Sequence, residues 1–242
     1  MKGKHMAWQY HRRLSPVKAI SFDLDDTLYE NVPVMKRAEQ HVAQFIAQKW
    51  PQTSAFDVKA WRALRDQVAA EDAELASNMT ALRLATLEKG LSQCGVNNAE
   101  QGAKEAMEVF LVARNEVDID AEVHAMLASL AAKYPLVAVS NGNADIHRIG
   151  LGDYFVGAFQ PSDEHRGKPY SDLFQAAFDH LELKHPSEML HIGDHPISDV
   201  FGALSFGAQA VWYSPNDSLQ TPVWLPHASI QDVRQLDHIL PS

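Results

Sequence analysis

The sequence predicts an α/β fold in which a Rossmann-like, doubly wound parallel sheet is interrupted after its first strand by an all-helical insertion. Residues 17–22, VKAISF, are a short apolar run between Pro16 and an acidic cluster, which is typical of a buried parallel strand. Residues 31–115 then show only helical periodicity. After Asp118, strand-length apolar runs alternate with helical segments, as in right-handed parallel crossover units.

The insertion is predicted to contain four helices, because apolar residues recur at helical spacing along it. These helices are expected at residues 34–48, 55–75, 81–95 and 100–114. We therefore assign residues 31–115 to a helical cap domain. Residues 1–30 and 116–242 are assigned to the core domain that carries the sheet.

The second part of the core is predicted to alternate strands and helices. Strands are expected at residues 136–140, 156–159, 189–193 and 208–213. Helices are expected at residues 121–133, 144–149, 170–181 and 197–205. Parallel strands joined by helices bind ligands beyond their carboxyl ends, so the residues that follow each strand are the first to inspect.

Composition narrows the class of protein. The chain has 242 residues, of which 46% are hydrophobic and 21% charged, as in ordinary globular proteins. Its formal net charge of -10 argues against a broad surface for nucleic acid. An acidic protein that binds a small anion must concentrate positive charge locally, with a metal ion, a lysine or helix N-termini.

The cysteine count and the apolar runs bear on the expected compartment. The single cysteine, Cys94, excludes an intramolecular disulfide and a four-cysteine zinc site and favours a reducing compartment. The basic first 20 residues contain no apolar core of a signal peptide, and no later stretch approaches 18 uninterrupted apolar residues. We expect a cytoplasmic protein without a membrane span, and the sequence carries no signal for its oligomeric state.

Polar residues with related chemistry follow the predicted strands or precede a helix. They are Asp23, Asp25, Ser140, Asn141, Lys168, Asp194 and Asp199. Together they offer a nucleophilic carboxylate, a second carboxyl group for proton transfer, a hydroxyl, backbone N–H groups and one lysine, which are the parts of a phosphoryl-transfer site. Clustered carboxylates repel each other and a phosphate, so we expect a hard, oxygen-preferring cation such as Mg²⁺ among them.

Each of these signals alone also has an ordinary structural explanation. The three aspartates at positions 23, 25 and 26 suit turns and helix caps, and Ser140-Asn141-Gly142 suits a turn at a helix entry. Lys168 precedes a proline that is a good helix start, and Asp199 suits the first turn of a helix. The functional interpretation is favoured because all these signals fall at the predicted mouth of one sheet.

In this order, the motifs resemble the haloacid dehalogenase-like hydrolase superfamily. The motifs are DxDxT from Asp23, SNG from Ser140, KP from Lys168 and GDxxxxD from Gly193. An insertion directly after the first strand is similar to the subclass with a helical cap at that point. The segments AISFDLDDTLYEN, LVAVSNGNADIHRIGLGDYF, GKPYSDLFQAA and MLHIGDHPISDVFGA further resemble bacterial FMN phosphatases, which are also assigned to 5-amino-6-(5-phospho-D-ribitylamino)uracil in riboflavin biosynthesis.

The resemblance implies a role for each core residue. Asp23 would be the nucleophile that forms an aspartyl-phosphate, and Asp25 would protonate the leaving alkoxide and then activate water. Mg²⁺ would be bound by the Asp23 carboxylate, the Asp25 backbone carbonyl and Asp194.

The remaining core residues would support this centre. Asp199 would steady the water shell of the metal or Lys168. Ser140, the Asn141 backbone N–H and Lys168 would bind the phosphoryl oxygens of a small phosphorylated metabolite.

Other residues have weaker signals. In the cap, the stretch LxxNMTALRLATLE is similar to a T-x-x-R stretch of the FMN phosphatases, which makes Thr80 and Arg83 candidate substrate contacts, with an exposed helical pair as the alternative. His191 and His195 flank Asp194, but packing is the favoured role for both. The aromatic residues Trp50, Phe56 and Trp61 are expected in the cap core and not in a base-stacking platform.

The sequence leaves three other functions open. A dehalogenase that acts on carbon shares the fold and the nucleophile but needs neither Mg²⁺ nor the second aspartate, so Asp25 argues against it. A phosphomutase uses the same aspartyl-phosphate and differs in excluding water, which residue types do not reveal. A non-catalytic binding module on the same fold is disfavoured because the nucleophile, the acid and the metal aspartate are all retained.

Overall fold

The computed structural model describes residues 8–72, 75, 77–215, 223–238 and 240. These residues form two compact units. The first comprises the described residues within 1–29, 118–141 and 150–242, and the second those within 30–117 and 142–149.

The first unit contains a seven-stranded sheet in the order β1-β7-β6-β5-β2-β3-β4. Its strands are β1 (Trp8–Tyr10), β2 (Ala19–Phe22), β3 (Leu136–Val139), β4 (Phe155–Phe159), β5 (Met189–Gly193), β6 (Gln209–Tyr213) and β7 (Ala228–Ile230). All neighbours are parallel except β1 and β7, which are antiparallel. The prediction of a mostly parallel sheet is therefore confirmed. The sheet also has two short strands on one side, β1 at the edge and β7 next to it, that were not predicted.

The described helices follow the predicted order with small shifts at their ends. They are α1 (Asn31–Lys49), α2 (Val58–Glu71), α3 (Met79–Gln93), α4 (Ala99–Arg114), α5 (Ala121–Ala131), α6 (Asp172–His180) and α7 (Gly202–Phe206). The first four belong to the second unit and the others to the first. Residues 73 and 74 of the predicted helix at 55–75 lie outside the described residues.

The central strands explain why the sequence reads as continuous apolar runs. Every residue of β2, β3 and β5 is buried, because helices cover both faces of a parallel sheet. The helix predicted at residues 197–205 begins as one wide π-type turn, Pro196–Phe201, and becomes α-helical only in α7. This wide turn brings Asp199 back toward the end of β5, where His195 N donates to its Oδ2 at 2.9 Å.

The prediction of a helix at residues 144–149 is wrong. This segment consists of turns. The Asp145 carboxylate accepts hydrogen bonds from His147 N at 2.8 Å and Arg148 N at 3.3 Å, as a helix N-cap does, and Ile149 N donates to Asp145 O at 3.0 Å, so the chain makes one helix-like turn and does not continue it. Gly150, with a φ of +80°, ends the turns. The segment belongs to the helical unit, where Asp145 N donates to Asn115 Oδ1 at 2.7 Å.

The helical unit is held together by an apolar stripe on each helix. On α1, Val34, Ala38, Val42 and Ile46 recur every fourth residue and are buried. Three of them, Ala38, Val42 and Ile46, share an apolar cluster with residues of α3 and α4. Trp50 packs against that cluster, and Phe56 packs against a smaller one that includes residues of α2. Trp61 packs against both clusters, as expected for cap core. None of the helices in the described part of the chain combines the length and apolar character that a membrane span requires.

Gly90 on α3 gives a test of this packing. A Cβ at Gly90 would lie 2.2 Å from the ring of Trp61, which packs directly on the glycine. Alanine normally stabilises a helix relative to glycine, but here Gly90→Ala is expected to lower the free energy of unfolding by about 1–3 kcal/mol. Urea unfolding measures the change. Ser92→Ala, an exposed substitution on the same helix, is the control and should change stability little; a stabilised Gly90→Ala protein would contradict this packing.

Candidate active site

The predicted site residues of the core lie at one edge of the sheet. Asp23 follows β2, Ser140 follows β3 and Asp194 follows β5, and β2 lies between the other two strands. The register pairs Phe22 with Ala138 and with Ile192, so these three strands end nearly level. Their carboxyl ends therefore bring the three polar side chains to the same edge.

A buried lysine joins two carboxylates at this edge. Lys168 Nζ donates to Asp23 Oδ1 at 2.8 Å and to Asp199 Oδ1 at 2.5 Å. All three residues are almost completely enclosed, with 5%, 7% and 2% of Lys168, Asp23 and Asp199 exposed. Buried charges are tolerated only when they are paired, so these three side chains form one interdependent group.

Asp199 is fixed by further contacts. Its Oδ1 lies 3.0 Å from His191 Nε2, and its Oδ2 accepts a hydrogen bond from His195 N at 2.9 Å. A Cβ on Gly193 would lie 2.2 Å from the Asp199 Cγ, so only glycine leaves room for the carboxylate here. The glycine of the GDxxxxD motif is thus explained by the close approach of the second aspartate.

His191 is a member of this network that the sequence analysis assigned to packing. It does pack, edge to face against Phe174 with ring centres 5.0 Å apart, and it is fully buried. Burial lowers its pKa, so the ring is neutral and Nε2–H donates to Asp199, while Nδ1 accepts from the Ser21 hydroxyl at 2.9 Å. In the sequence, the feature that could have indicated this role is a histidine inside an apolar strand, two residues before Gly193.

His195, by contrast, contributes mainly to local structure. It is exposed, and its Nδ1 accepts from Ile197 N at 3.2 Å and Ser198 N at 3.0 Å. The ring therefore caps the wide turn that carries Asp199.

Asn141 positions the lysine through its side chain. Its Nδ2 donates to Lys168 O at 2.8 Å, and its Oδ1 accepts from Lys168 N at 2.7 Å. The sequence motif predicts a role for the Asn141 backbone N–H but does not reveal these two side-chain hydrogen bonds. Ser140, 2% exposed, lies directly before it, and its backbone N donates to Phe159 O at 3.1 Å.

Asp25 lies in a tight turn after β2. Its Oδ1 accepts a hydrogen bond from the Tyr29 hydroxyl at 2.6 Å, and the turn is closed by Asp26 N donating to Tyr29 O at 2.8 Å. Asp26 has a φ of +57°, a left-handed conformation that aspartate and asparagine tolerate better than most residues. Asp25 is half-buried, whereas Asp26 is exposed.

The network shifts the pKa values of its members. Burial raises the pKa of Asp23 to about 7, against the effect of Lys168 and with the repulsion of Asp199. Burial also opposes the charged forms of Lys168 and Asp199, but their mutual attraction outweighs it, so the pKa of Lys168 is raised and that of Asp199 is held well below its usual range. Burial, Asp199 and Asp26 raise the pKa of Asp194 to about 6.

Three carboxylates of the site converge closely enough for one metal ion. Asp23, Asp194 and Asp199 each offer an oxygen, and these oxygens lie within 4.8 Å of one another. An all-oxygen donor set suits a hard divalent cation, and a cation would favour the charged forms of Asp23 and Asp194, whose pKa values are raised by burial and by neighbouring carboxylates. The residues present therefore fit such an ion. The loop that carries Asp194 is anchored by Trp212 Nε1, which donates to Asp194 O at 2.7 Å.

Thr80 and Arg83 belong to the helical unit and not to the unit that carries the carboxylates. Thr80 Oγ1 accepts a hydrogen bond from Asn143 Nδ2 at 3.3 Å. The Arg83 guanidinium carbon lies 3.8 Å from the centre of the Phe110 ring. Neither contact assigns a substrate role to these two residues.

Removal of the Lys168 charge tests the interdependence of the buried group. Lys168→Met would leave two buried carboxylates without their cation, so at pH 8 we expect a loss of about 3–5 kcal/mol in the free energy of unfolding. The double variant Lys168→Met/Asp199→Asn should recover part of it. The exposed Lys184→Met is the control, and equal urea midpoints for Lys168→Met and Lys184→Met would contradict the network.

Two phosphatases are similar to this chain in sequence. The chain is 34% identical over 238 residues to 5-amino-6-(5-phospho-D-ribitylamino)uracil phosphatase YigB of Escherichia coli K12, covering 96% of this chain and all of that protein. It is 26% identical to a phosphoserine phosphatase of Thermus thermophilus, covering 91% of this chain and 98% of that protein.

A solved structure is similar as well. It is described as a 2-haloacid dehalogenase from Pseudomonas syringae, with a TM-score of 0.86, 35% identity and coverage of 93% of this chain and 98% of that one. The haloacid dehalogenase-like hydrolase model matches residues 17–207, a stretch that includes every motif of the site. The chain therefore belongs to the haloacid dehalogenase-like hydrolase family.

Proposed function

We propose that the protein is a Mg²⁺-dependent phosphatase that hydrolyses a small phosphomonoester through an aspartyl-phosphate on Asp23. The observation that carries the proposal is the buried Asp23 carboxylate, held at 2.8 Å by Lys168 and close to the Asp194 carboxylate. A carboxylate beside a lysine and a cation site can approach an anionic phosphoryl group whose charge is neutralised around it. The relatives from Escherichia coli and Thermus thermophilus, both named as phosphatases, support the same class of reaction.

Mg²⁺ would be held by the carboxylates of Asp23 and Asp194 and by the backbone carbonyl of Asp25. When bound, it neutralises charge on the phosphoryl oxygens and orients them for displacement. Asp199 is better suited to a supporting role, because both of its oxygens already bond to Lys168, His191 or His195 N.

The chemistry at the protein residues proceeds in two displacements. An Asp23 oxygen forms a bond to phosphorus as the bond to the leaving alkoxide breaks, and Asp25 gives that alkoxide a proton. Water then attacks the phosphorus of the aspartyl-phosphate, its proton passes to Asp25, and the Asp23 carboxylate is released. The hydrogen bond from Tyr29 to Asp25 Oδ1 would hold the acid in a fixed orientation for both steps.

Lys168, Ser140 and the Asn141 backbone N–H are proposed to bind the phosphoryl oxygens. Lys168 is the cation nearest to the nucleophile, and Asn141 holds its backbone by two hydrogen bonds. Such fixed donors stabilise developing charge without having to reorient during the reaction.

FMN or 5-amino-6-(5-phospho-D-ribitylamino)uracil is the proposed substrate, which would place the enzyme in riboflavin biosynthesis. The support is the 34% identity to the Escherichia coli phosphatase that carries the second name, over nearly the whole of both chains. In this proposal residues 31–115 form a cap that selects the substrate, with Thr80 and Arg83 as candidate contacts. A screen of FMN, sugar phosphates, nucleotides and phosphoserine, with and without Mg²⁺, tests class and substrate together.

Dehalogenation is a second candidate, because a structure described as a 2-haloacid dehalogenase is 35% identical to this chain. Carbon–halogen displacement needs a nucleophilic aspartate but no acid for an alkoxide. The Asp25 carboxyl, held by Tyr29 next to the nucleophile, therefore favours phosphate esters. Halide release from 2-chloropropionate with no phosphate release from any ester would favour the dehalogenase.

Asn substitutions in the DLDDT motif test the nucleophile and the acid. Asp23→Asn should abolish phosphatase activity, and Asp25→Asn should lower kcat by about 10²–10⁴-fold, since an amide delivers no proton. Asp26→Asn is the matched control: it lies in the same motif, is exposed and keeps a side chain that accepts its φ of +57°. More than a few per cent activity in folded Asp23→Asn would contradict the covalent route.

Removal of the metal tests the cation site. Activity should disappear in EDTA, return with Mg²⁺ and be inhibited by Ca²⁺, whose looser coordination would misplace the nucleophile. Calorimetric titration of Mg²⁺ should show at least tenfold weaker binding to Asp194→Asn than to the wild type or Asp26→Asn. Unchanged Mg²⁺ binding by Asp194→Asn, or full activity in chelator, would refute this site.

A further inference from the structure

The helical unit contains a pocket of its own between α1, α2 and α3. The space open to the centre of a water-sized molecule is about 40 Å³, and the pocket is partly open to solvent. Apolar walls are provided by Val42, Val58 and Leu87, beside the indole of Trp61. Among the described residues, three arginines also line it, Arg62, Arg65 and Arg83, against a single carboxylate, Glu39.

The Glu39 carboxylate already forms an ion pair with Arg62. Arg62 donates to Glu39 Oε2 from Nε at 2.8 Å and from Nη2 at 2.5 Å. Within the part of the chain that the structure describes, the ion-pair partner of Arg65 is its exposed neighbour Asp66, at 2.7 Å. A pocket in a chain of net charge -10 thus carries two arginines more than its own acids neutralise.

Arg83 is the group with the least compensation. Its guanidinium stacks on Phe110 at 3.8 Å, and among the described residues it makes no hydrogen bond or ion pair to an acceptor. Burial lowers its pKa to about 10; the nearby Glu39 opposes that effect and Arg65 and Arg114 add to it, and the group remains charged at neutral pH. Stacking on a ring offsets part of the lost hydration but leaves the N–H donors unused.

Trp61 adds another unused donor. Its indole Nε1 is buried and has no hydrogen-bond partner in the described part of the chain. The pocket lining therefore offers N–H donors that have no acceptor, beside an apolar wall. Such a lining suits an anion that has hydrogen-bond acceptors and an apolar body.

We propose that this pocket binds a small organic carboxylate whose planar oxygens pair with Arg83 and whose apolar body packs against Val42, Val58 and Leu87. A carboxylate matches the fork of a guanidinium and loses less hydration on burial than a phosphate dianion. The inference concerns the helical unit alone and does not rest on the proposed phosphatase function.

Benzoate is a suitable probe, with the neutral benzamide as its isostere. Calorimetric titration of the full chain should show saturable benzoate binding with a Kd of about 1 mM or tighter, and at least tenfold weaker binding of benzamide. Arg83→Met, which keeps most of the apolar stem, should weaken benzoate binding at least tenfold. Arg148→Met, an exposed arginine of the same unit, is the matched control and should bind as the wild type does.

A second variant covers the case in which Arg83→Met does not fold. Ala43→Leu keeps all three arginines and narrows the pocket that Ala43 lines, so it too should weaken benzoate binding several-fold. Absence of saturable benzoate binding to the wild type would overturn the proposal. So would equal affinities for wild type, Arg83→Met and Ala43→Leu, or equal binding of benzoate and benzamide.

Discussion

The core of this protein is organised around a buried lysine between two buried carboxylates. Lys168 bonds to Asp23 and Asp199 in a region where almost no side-chain surface meets solvent. Such a group is stable only if every partner is fixed, because an ion left without its partner in the interior costs several kcal/mol. Two surrounding features fix the partners. Asn141 holds the Lys168 backbone by two hydrogen bonds, and the glycine at position 193 leaves room for the Asp199 carboxylate.

The same network accounts for the chemistry that the site favours. Lys168 compensates Asp23 and Asp199, but Asp194 approaches within 4.8 Å and adds a further negative charge. The group is therefore short of one or two positive charges, which a hard divalent cation would provide. With that cation, the charges of Lys168 and the three carboxylates would balance, so an anionic phosphoryl group could approach the nucleophilic carboxylate without net repulsion.

Much of the fold and the main site was predictable because it follows from local patterns. Fully buried parallel strands give continuous apolar runs, and polar residues at their carboxyl ends must meet at one edge, which located Asp23, Ser140 and Asp194. The three-residue strands β1 and β7 were not predicted, since so short a segment has no period of its own. The helix predicted at residues 144–149 does not form, because the chain makes a single turn after Asp145 and then reaches Gly150, whose φ of +80° ends the turn.

Side-chain partners far apart in sequence were the least predictable part. Nothing local to His191 indicates that its ring meets Asp199 on one side and Ser21 on the other. Likewise, the periodicity of α3 placed Arg83 on a helix but did not reveal that its guanidinium lies on Phe110 in a pocket rich in arginine. Such contacts depend on how three helices pack together, which the pattern of a single helix does not contain.

The central claim is that Asp23 becomes covalently phosphorylated during turnover. The most direct measurement is peptide mapping by mass spectrometry of enzyme quenched in acid while it hydrolyses a phosphomonoester in the presence of Mg²⁺. The account predicts a phosphoryl group on the peptide that contains Asp23, removable by hydroxylamine and absent from Asp23→Asn. Active enzyme with no phosphorylated peptide, or with the phosphoryl group on another residue, would contradict it.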